Sequence, residues 1–244
     1  MKLPFLISVP HAGLNVPSEV KEICRLTKQE IIEDGDVGAA DIYHPIKNSV
    51  AGFVATEVAR AVLDMNRAEN DRRKDGIVKT HTCWDVPIYK KLLSEEIIVT
   101  LIKDYYRPYH EKLTEISKEV RLGIDCHTMA AFGPPVGPDP GIERPHICLS
   151  NADGTCPQEW MWIISRCFEK VFNTNVSVNS PFKGGYIIKS HSHEIPWIQL
   201  ELSRDPFLTN LDKGRCVLEA LQQFVQLLDD PLKHVRKTQY TPAI

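Results

Sequence analysis

The sequence predicts an α/β fold in three layers, with a mainly parallel or mixed central sheet and helices on both faces. Three observations predict it. Apolar runs of strand length lie at Leu3–Val9, Arg121–Cys126 and Trp197–Leu202, amphipathic helical stretches fall between and after them, and Gly, Pro and Asn punctuate the joins. The 244 residues are read as one catalytic domain, 1–244. A composition of 43% hydrophobic and 25% charged residues is that of a folded globular chain, and it excludes disorder and membrane-spanning runs. The net charge of -3 and pI near 6.3, with basic residues dispersed, exclude a nucleic-acid partner. Seven cysteines without CxxC spacing fit reduced thiols in a cytoplasm, and the amino-terminal MKLPFLISVP is too short and too interrupted for a secretory signal.

In chain order, Leu3–Val9 is a buried strand closed by Pro10 and followed by His11. Thr27 and Glu30 form a capping box at the head of a short acidic helix. Residues 40–50 are helical or turn-like, broken by Pro45, and Phe53–Val58 and Ala61–Met65 are expected to be short strands. The charged stretch 68–76 is a loop. Ser94, with Glu95 and Glu96 behind it, caps a long helix kinked at Pro108. Arg121–Cys126 is a second core strand that ends at His127. A Gly/Pro-rich loop at 130–145, of the kind that forms lids or binding walls, leads to a strand at 146–150. A helix at Gln158–Phe172, a strand at 176–178, a turn and strand at Phe182–Ile188, the strand Trp197–Leu202 and a helix at Leu211–Leu228 complete the chain, before a polar tail.

Ligands in open α/β sheets bind beyond the carboxyl ends of strands, and His11 and His127 both fall there. Two imidazoles on one edge, joined by a carboxylate, make a candidate catalytic metal site; Asp36 is the preferred third ligand and Asp34 its competitor. Buried histidines satisfied by backbone, and an ordinary acidic surface loop at 33–36, produce the same pattern. Asp125 stands two residues before His127, as a partner that would orient the imidazole or as a plain strand-end carboxylate. Asn66 and Arg67 present an amide beside a guanidinium, suited to a carboxylate or a developing oxyanion, with Asp64 placed to orient them; Arg67 in a surface ion pair is the alternative. Alternation along Trp197–Leu202 puts Gln199 and Glu201 on one face, so Glu201 is the candidate general base if that face meets the metal, and a solvated edge residue if it does not. Lys183 and Tyr186 flank the turn Gly184-Gly185, offering one ammonium and one phenol to an anionic group. Histidines 191 and 193 are set aside as surface or supporting groups.

Six segments together, SVPHAG at 8–13, DGD at 34–36, LDMNR at 63–67, DCHTM at 125–129, FKGGY at 182–186 and QLELS at 199–203, resemble the N-formylglutamate amidohydrolases, a family related in fold to zinc carboxypeptidases and aspartoacylases. They occur in the family's order over nearly the whole chain. The resemblance implies a zinc-carboxypeptidase-like fold and one Zn²⁺ per chain, held by His11, Asp36 and His127. It further implies that Glu201 is the base, that Arg67 acts with it, and that Asn66, Arg67, Lys183, Tyr186 and Arg144 bind a small N-acyl amino acid. Two features depart from the relatives. Leu14 stands where carboxypeptidases have the Glu of HxxE, and SHSHE follows FKGGYIIK in place of an Arg-His stretch. A carboxypeptidase-like peptidase and a non-catalytic module that kept the fold are the competing readings.

Overall fold

The computed structural model describes residues 2–134 and 139–229. Six strands, β1 (Leu3–Val9), β2 (Val50–Ala55), β3 (Leu122–Met129), β4 (Ile147–Ser150), β5 (Val176–Val178) and β6 (Trp197–Ser203), form one sheet in the order β2-β1-β3-β6-β4-β5. The pairs β1/β2, β1/β3 and β3/β6 are parallel. β4 runs antiparallel to β6 and carries β5 parallel to itself, so the sheet is mixed. From β1 the chain goes to one side to lay down β2 and then to the other to lay down β3. The crevice between β1 and β3 is therefore the point where strand order reverses, the place where α/β sheets accept ligands.

The period of two along each strand divides the apolar residues between two cores. Phe5, Ile7, Val9, Ile124, Cys126, Ile198, Leu200 and Leu202 face one layer, packed against α3 (Ala39–Tyr43), α6 (Gln158–Phe172) and α8 (Asn210–Asp229). Leu6 and Trp197 face the other. That layer holds α4 (Glu95–Leu101), a π-helical turn (Ile102–Tyr106), α5 (Arg107–Ser117) and α7 (Tyr186–His191). Two short helices, α1 (Ser18–Lys21) and α2 (Lys28–Asp34), precede α3. The capping box at Thr27 and Glu30 is formed, and the Ser94 hydroxyl accepts from the Ile97 amide at the head of α4. No helix among the described residues is long and apolar enough to cross a membrane.

Several local expectations are corrected. Ala61–Met65 is a series of turns with no strand: the Val62 and Leu63 amides donate to the Ala59 carbonyl and the Asp64 amide to that of Ile77. The strand expected at Phe53–Val58 is shifted to Val50–Ala55. β3 runs on to Met129, so His127 lies within the strand and its side chain is aimed by the pleat. The expected strand after Gly185 is the helix α7, whose Ile187 and Ile188 are fully buried. The irregularity expected at Pro108 lies just before it, as the π turn: proline has no N–H for the preceding turn and its ring crowds the carbonyl four residues back. Of the Gly/Pro-rich loop, residues 135–138 lie outside the described residues, as does the polar tail after 229.

Gly123 of β3 lies under Trp197 of β6; a Cβ there would come within 2.2 Å of the indole. The fold uses this close approach to bury the largest core side chain near the amino-terminal ends of β3 and β6, away from the site. Gly123→Ala is expected to destabilise the protein by about 1–3 kcal/mol through overpacking, read as a fall in thermal midpoint.

Candidate functional site

Three segments converge at the crevice. His11 lies two residues past β1. Asp36 follows α2 and is fixed by its own amide, which donates to the His11 carbonyl at 3.1 Å. His127 points up from β3. The Nδ1 atoms of the two imidazoles are 3.1 Å apart, and Asp36 Oδ2 lies 3.0 Å from that of His127 and 3.5 Å from that of His11. Each imidazole turns its other nitrogen to a buried carboxylate: His11 Nε2 to Asp64 Oδ1 and His127 Nε2 to Asp125 Oδ2, both at 2.8 Å. A carboxylate only accepts, so it fixes the proton on Nε2 and leaves each Nδ1 lone pair facing the other imidazole and Asp36.

Two nitrogen lone pairs and a carboxylate oxygen meeting at these separations form a donor set for a small divalent cation. Tetrahedral zinc with bonds of 2.0–2.2 Å spaces its ligands by roughly 3.3 Å, close to the three distances found. Electrostatics agree. Burial alone would depress the His127 imidazole, but the Asp125, Glu201 and Asp36 carboxylates outweigh it and raise His127 well above the usual histidine range. Burial would raise Asp36, and the two histidines instead hold it well below the usual carboxylate range. The local surplus of negative charge that favours a proton on His127 favours a metal ion more.

Asp34 does not share this position. Its carboxylate is bound by Lys79 Nζ at 2.6 and 2.8 Å and by the Cys83 amide at 2.6 Å, a closed and buried pair. The geometry therefore brings Asp36, and not Asp34, to the histidines.

In the β3/β6 register Asp125 lies beside Gln199 and His127 beside Glu201, so the polar face of β6 meets the donor set directly. Gln199 takes the Gly185 amide on its Oε1 at 2.6 Å and donates to Glu201 Oε1 at 2.9 Å. Burial, aided by Asp36 and opposed by the two histidines, pushes the Glu201 carboxyl up to about 7. A carboxyl poised there exchanges a proton readily near neutral pH.

His11, Asp36, Asn66, Arg67, His127, Arg144, Lys183 and Glu201 all line one cavity of about 690 Å³. Tyr186 does not line it; this side chain packs edge-on against His110 behind the site, with ring centroids 5.8 Å apart. Asn66 faces inward: Nδ2 donates to Asp125 Oδ2 at 3.1 Å, and Oδ1 accepts from the Ile187 amide at 2.8 Å. Arg67 is steered by the carbonyls of Asp75 and Asn66, at 3.0 and 3.4 Å, with the Asp75 carboxylate at 3.6 Å. Arg144 forms a bidentate pair with Asp139, both bonds 2.7 Å, and lies over the Phe182 ring. His191 is buried away from the donor set and His193 is exposed.

Two cationic residues escaped the sequence reading. Arg60 binds Asp64 Oδ2 at 3.3 Å and approaches Asp36 Oδ1 at 3.6 Å; its i,i+4 spacing from Asp64 was a signal, hidden by the strand expected at Ala61–Met65. Arg204 donates to the Gly35 carbonyl at 2.6 Å and lies 3.7 Å from Asp36 Oδ1, one residue past β6, where no local pattern marks it. Asp64 was expected to orient Asn66 and Arg67. It does hold the Asn66 amide, at 2.8 Å, and it also holds His11.

The chain is 25% identical to an N-formylglutamate deformylase of Pseudomonas putida over 252 residues, covering 93% of this chain and 92% of that protein. The crystal structure of an N-formylglutamate amidohydrolase from Ralstonia eutropha JMP134 superposes with a TM-score of 0.74 at 19% identity, covering 97% of this chain and 95% of that one. A gene product of Agrobacterium tumefaciens superposes with the same score, 0.74, at 14% identity over 94% and 93% of the two chains. The profile of one protein family, described as N-formylglutamate amidohydrolase, matches residues 3–208, and the chain belongs to that family.

Proposed function

We propose that this chain is a zinc-dependent amidohydrolase that cleaves the N-acyl amide, in particular the N-formyl amide, of an acidic amino acid such as N-formylglutamate. One observation carries the reading: two imidazoles present Nδ1 to Asp36, each with Nε2 on its own buried carboxylate, beside a glutamate raised to about 7. Family membership supports the substrate class. The seven cysteines are scattered without CxxC spacing, in keeping with a reducing compartment such as the cytoplasm.

His11, Asp36 and His127 would hold the ion, one per chain. Bound there, Zn²⁺ supplies Lewis-acid polarisation of the acyl carbonyl and acidifies water. Glu201 takes a proton from the attacking water as its oxygen bonds to the acyl carbon. When the carbon–nitrogen bond breaks, Glu201 returns that proton to the departing amine, giving a carboxylate and a free amino acid. Gln199 keeps Glu201 turned into the cavity. Arg67 and Lys183 supply positive charge for the substrate's carboxylates and, in the case of Arg67, for the developing oxyanion. Lys183 stands on the turn that also delivers the Gly185 amide to Gln199, so substrate binding and base orientation share one loop.

Metal analysis of the purified protein should give about one zinc per chain. His11→Ala and His127→Ala should each lose it, while Asp64→Asn and Asp125→Asn should weaken zinc binding about 10–100-fold in chelator competition, as expected for groups that orient ligating imidazoles. Full occupancy in both histidine variants removes the site.

Arg67→Lys keeps the charge but loses the planar fork. Turnover on N-formylglutamate and other N-acyl acidic amino acids is expected to fall substantially; unchanged kinetics would make Arg67 a surface charge. Short peptides assayed in parallel separate this activity from that of a peptidase.

Glu201→Gln keeps size and the contact with Gln199 but cannot take the proton. Zinc content and thermal midpoint should stay near wild type while turnover falls by roughly 10²-fold or more. Loss of zinc would instead make Glu201 a ligand, and full turnover would assign the base to another carboxylate.

A further inference from the structure

Behind the cavity lies a chain of buried and half-buried polar groups that the proposed reaction does not use. None of His110, His191 or Glu194 lines the cavity. His110 Nε2 meets the Met65 carbonyl at 3.0 Å, His110 Nδ1 meets His191 Nε2 at 2.9 Å, and His191 Nδ1 meets Glu194 Oε2 at 3.1 Å. Glu194 also accepts the hydroxyls of Thr114 at 2.6 Å and Ser117 at 2.9 Å. We propose that His110 is a positioning residue for the active site, acting through the Met65–Asn66 peptide, and that His191 and Glu194 lock it in the tautomer that does so.

The argument turns on one rigid plane. The Met65 carbonyl and the Asn66 N–H belong to the same peptide group, so they move together. The carbonyl accepts from His110; the N–H donates to Asp64 Oδ1 at 2.8 Å, the oxygen that also takes His11 Nε2. The Asn66 side chain then donates to Asp125 Oδ2, the oxygen that takes His127 Nε2. A single residue thereby ties together the two carboxylates that orient the two imidazoles. One residue further on, the Arg67 carbonyl accepts from Tyr106 Oη at 2.7 Å. Tyr106 and His110 are spaced i,i+4 across the junction of the π turn and α5, and both reach the 65–67 segment from one helix face. Met65 is fully buried, so in this fold its carbonyl is served by His110 and not by solvent.

The direction of each bond follows from its end groups. A carbonyl only accepts, so His110 carries its proton on Nε2. Burial, and after it the neighbouring His191, press His110 down to about 4 and keep the ring neutral, with a lone pair on Nδ1 for the His191 N–H. Burial would raise Glu194, but the two hydroxyls and His191 outweigh it and hold the carboxylate below its usual range, so Glu194 accepts from His191. In this arrangement His191 donates through both nitrogens, to His110 Nδ1 and to the Glu194 carboxylate, and is therefore the doubly protonated ring of the chain.

The test separates positioning from packing by placing an amide at one or other end of the imidazole. In His110→Gln the side-chain NH₂ reaches the Nε2 position and can still donate to Met65; in His110→Asn it reaches only the Nδ1 position; His110→Ala removes both. Zinc-loaded wild type and variants are compared for thermal midpoint, hydrogen exchange of a peptide spanning residues 63–69, and kcat and KM on N-formylglutamate. The turnover arm rests on the function proposed above. The exchange arm does not, so an inactive wild type would sink that function while exchange still decides this inference. The expected result is faster exchange at Asn66 and about tenfold lower kcat in the Ala and Asn variants with zinc retained, and values within about twofold of wild type in the Gln variant. Should the Ala variant fail to fold, the Gln and Asn pair carries the comparison. Three variants that match wild type, or a Gln variant that falls as far as the Asn variant in step with its thermal midpoint, would overturn the proposal.

Discussion

The requirement that two imidazoles face each other through Nδ1 governs the rest of the architecture. A 3.1 Å approach of two lone pairs is tolerable only if each ring is held from behind and the space between answers to a cation. Holding the rings takes a buried carboxylate apiece, Asp64 and Asp125. With Asp36 and Glu201 the site then gathers four acids, each less than a tenth exposed, against the guanidinium groups of Arg60 and Arg204. Burying that many carboxylates is costly unless positive charge is close. Two arginines offset part of the cost, and a divalent ion held as proposed between the imidazoles would offset more.

Topology makes the gathering possible. Because β1, β3 and β6 are adjacent and parallel, their carboxyl ends open on the same crevice, and the pleat fixes which residues meet there. Positions two apart on one strand share a face. That rule puts Asp125 behind His127 and Gln199 behind Glu201, and the parallel register sets the two pairs side by side. The opposite face of the same strands is apolar as far as Thr128 at the carboxyl end of β3 and packs α6 and α8, so the polar face is supported without competing for it.

Much of this was legible in the sequence for that reason. Strand alternation is local, and it carried Glu201 and Gln199 to the correct face; a histidine just past or within an apolar run carried His11 and His127 to the sheet edge. Contacts made across the chain were not legible. Ala61–Met65 has the composition of a strand, yet its backbone is satisfied by turns, which is what lets Asp64 and Asn66 reach two different imidazole partners. Phe182–Ile188 likewise reads as turn and strand, but the Ile187 amide, an unpaired donor in the first turn of α7, is taken by Asn66 Oδ1 from 121 residues away. A helix cap supplied at that separation leaves no mark near the helix it serves. Asp34 and Asp36 were separable only in three dimensions, since Lys79, which closes Asp34, is 45 residues distant.

Asn66 illustrates how such non-local bonds redistribute roles. Read from sequence it is an amide offered to substrate. In the fold its oxygen caps α7, its backbone N–H holds Asp64 and its side-chain nitrogen donates to Asp125 while lying 3.2 Å from His127 Nε2, which leaves at most one N–H for a ligand. A residue bonded on so many sides at once is poor at adapting to a ligand and good at fixing the groups around it. In the proposed reaction, stabilising the oxyanion and neutralising carboxylates would therefore fall to the cations that retain exposure, Arg67 and Lys183, while Asn66 keeps the two imidazoles and their carboxylates in one frame. The separation has a physical basis: Arg67 and Lys183 lie on irregular segments with part of each side chain exposed, whereas Asn66 is bonded to Asp64, Asp125 and the first turn of α7.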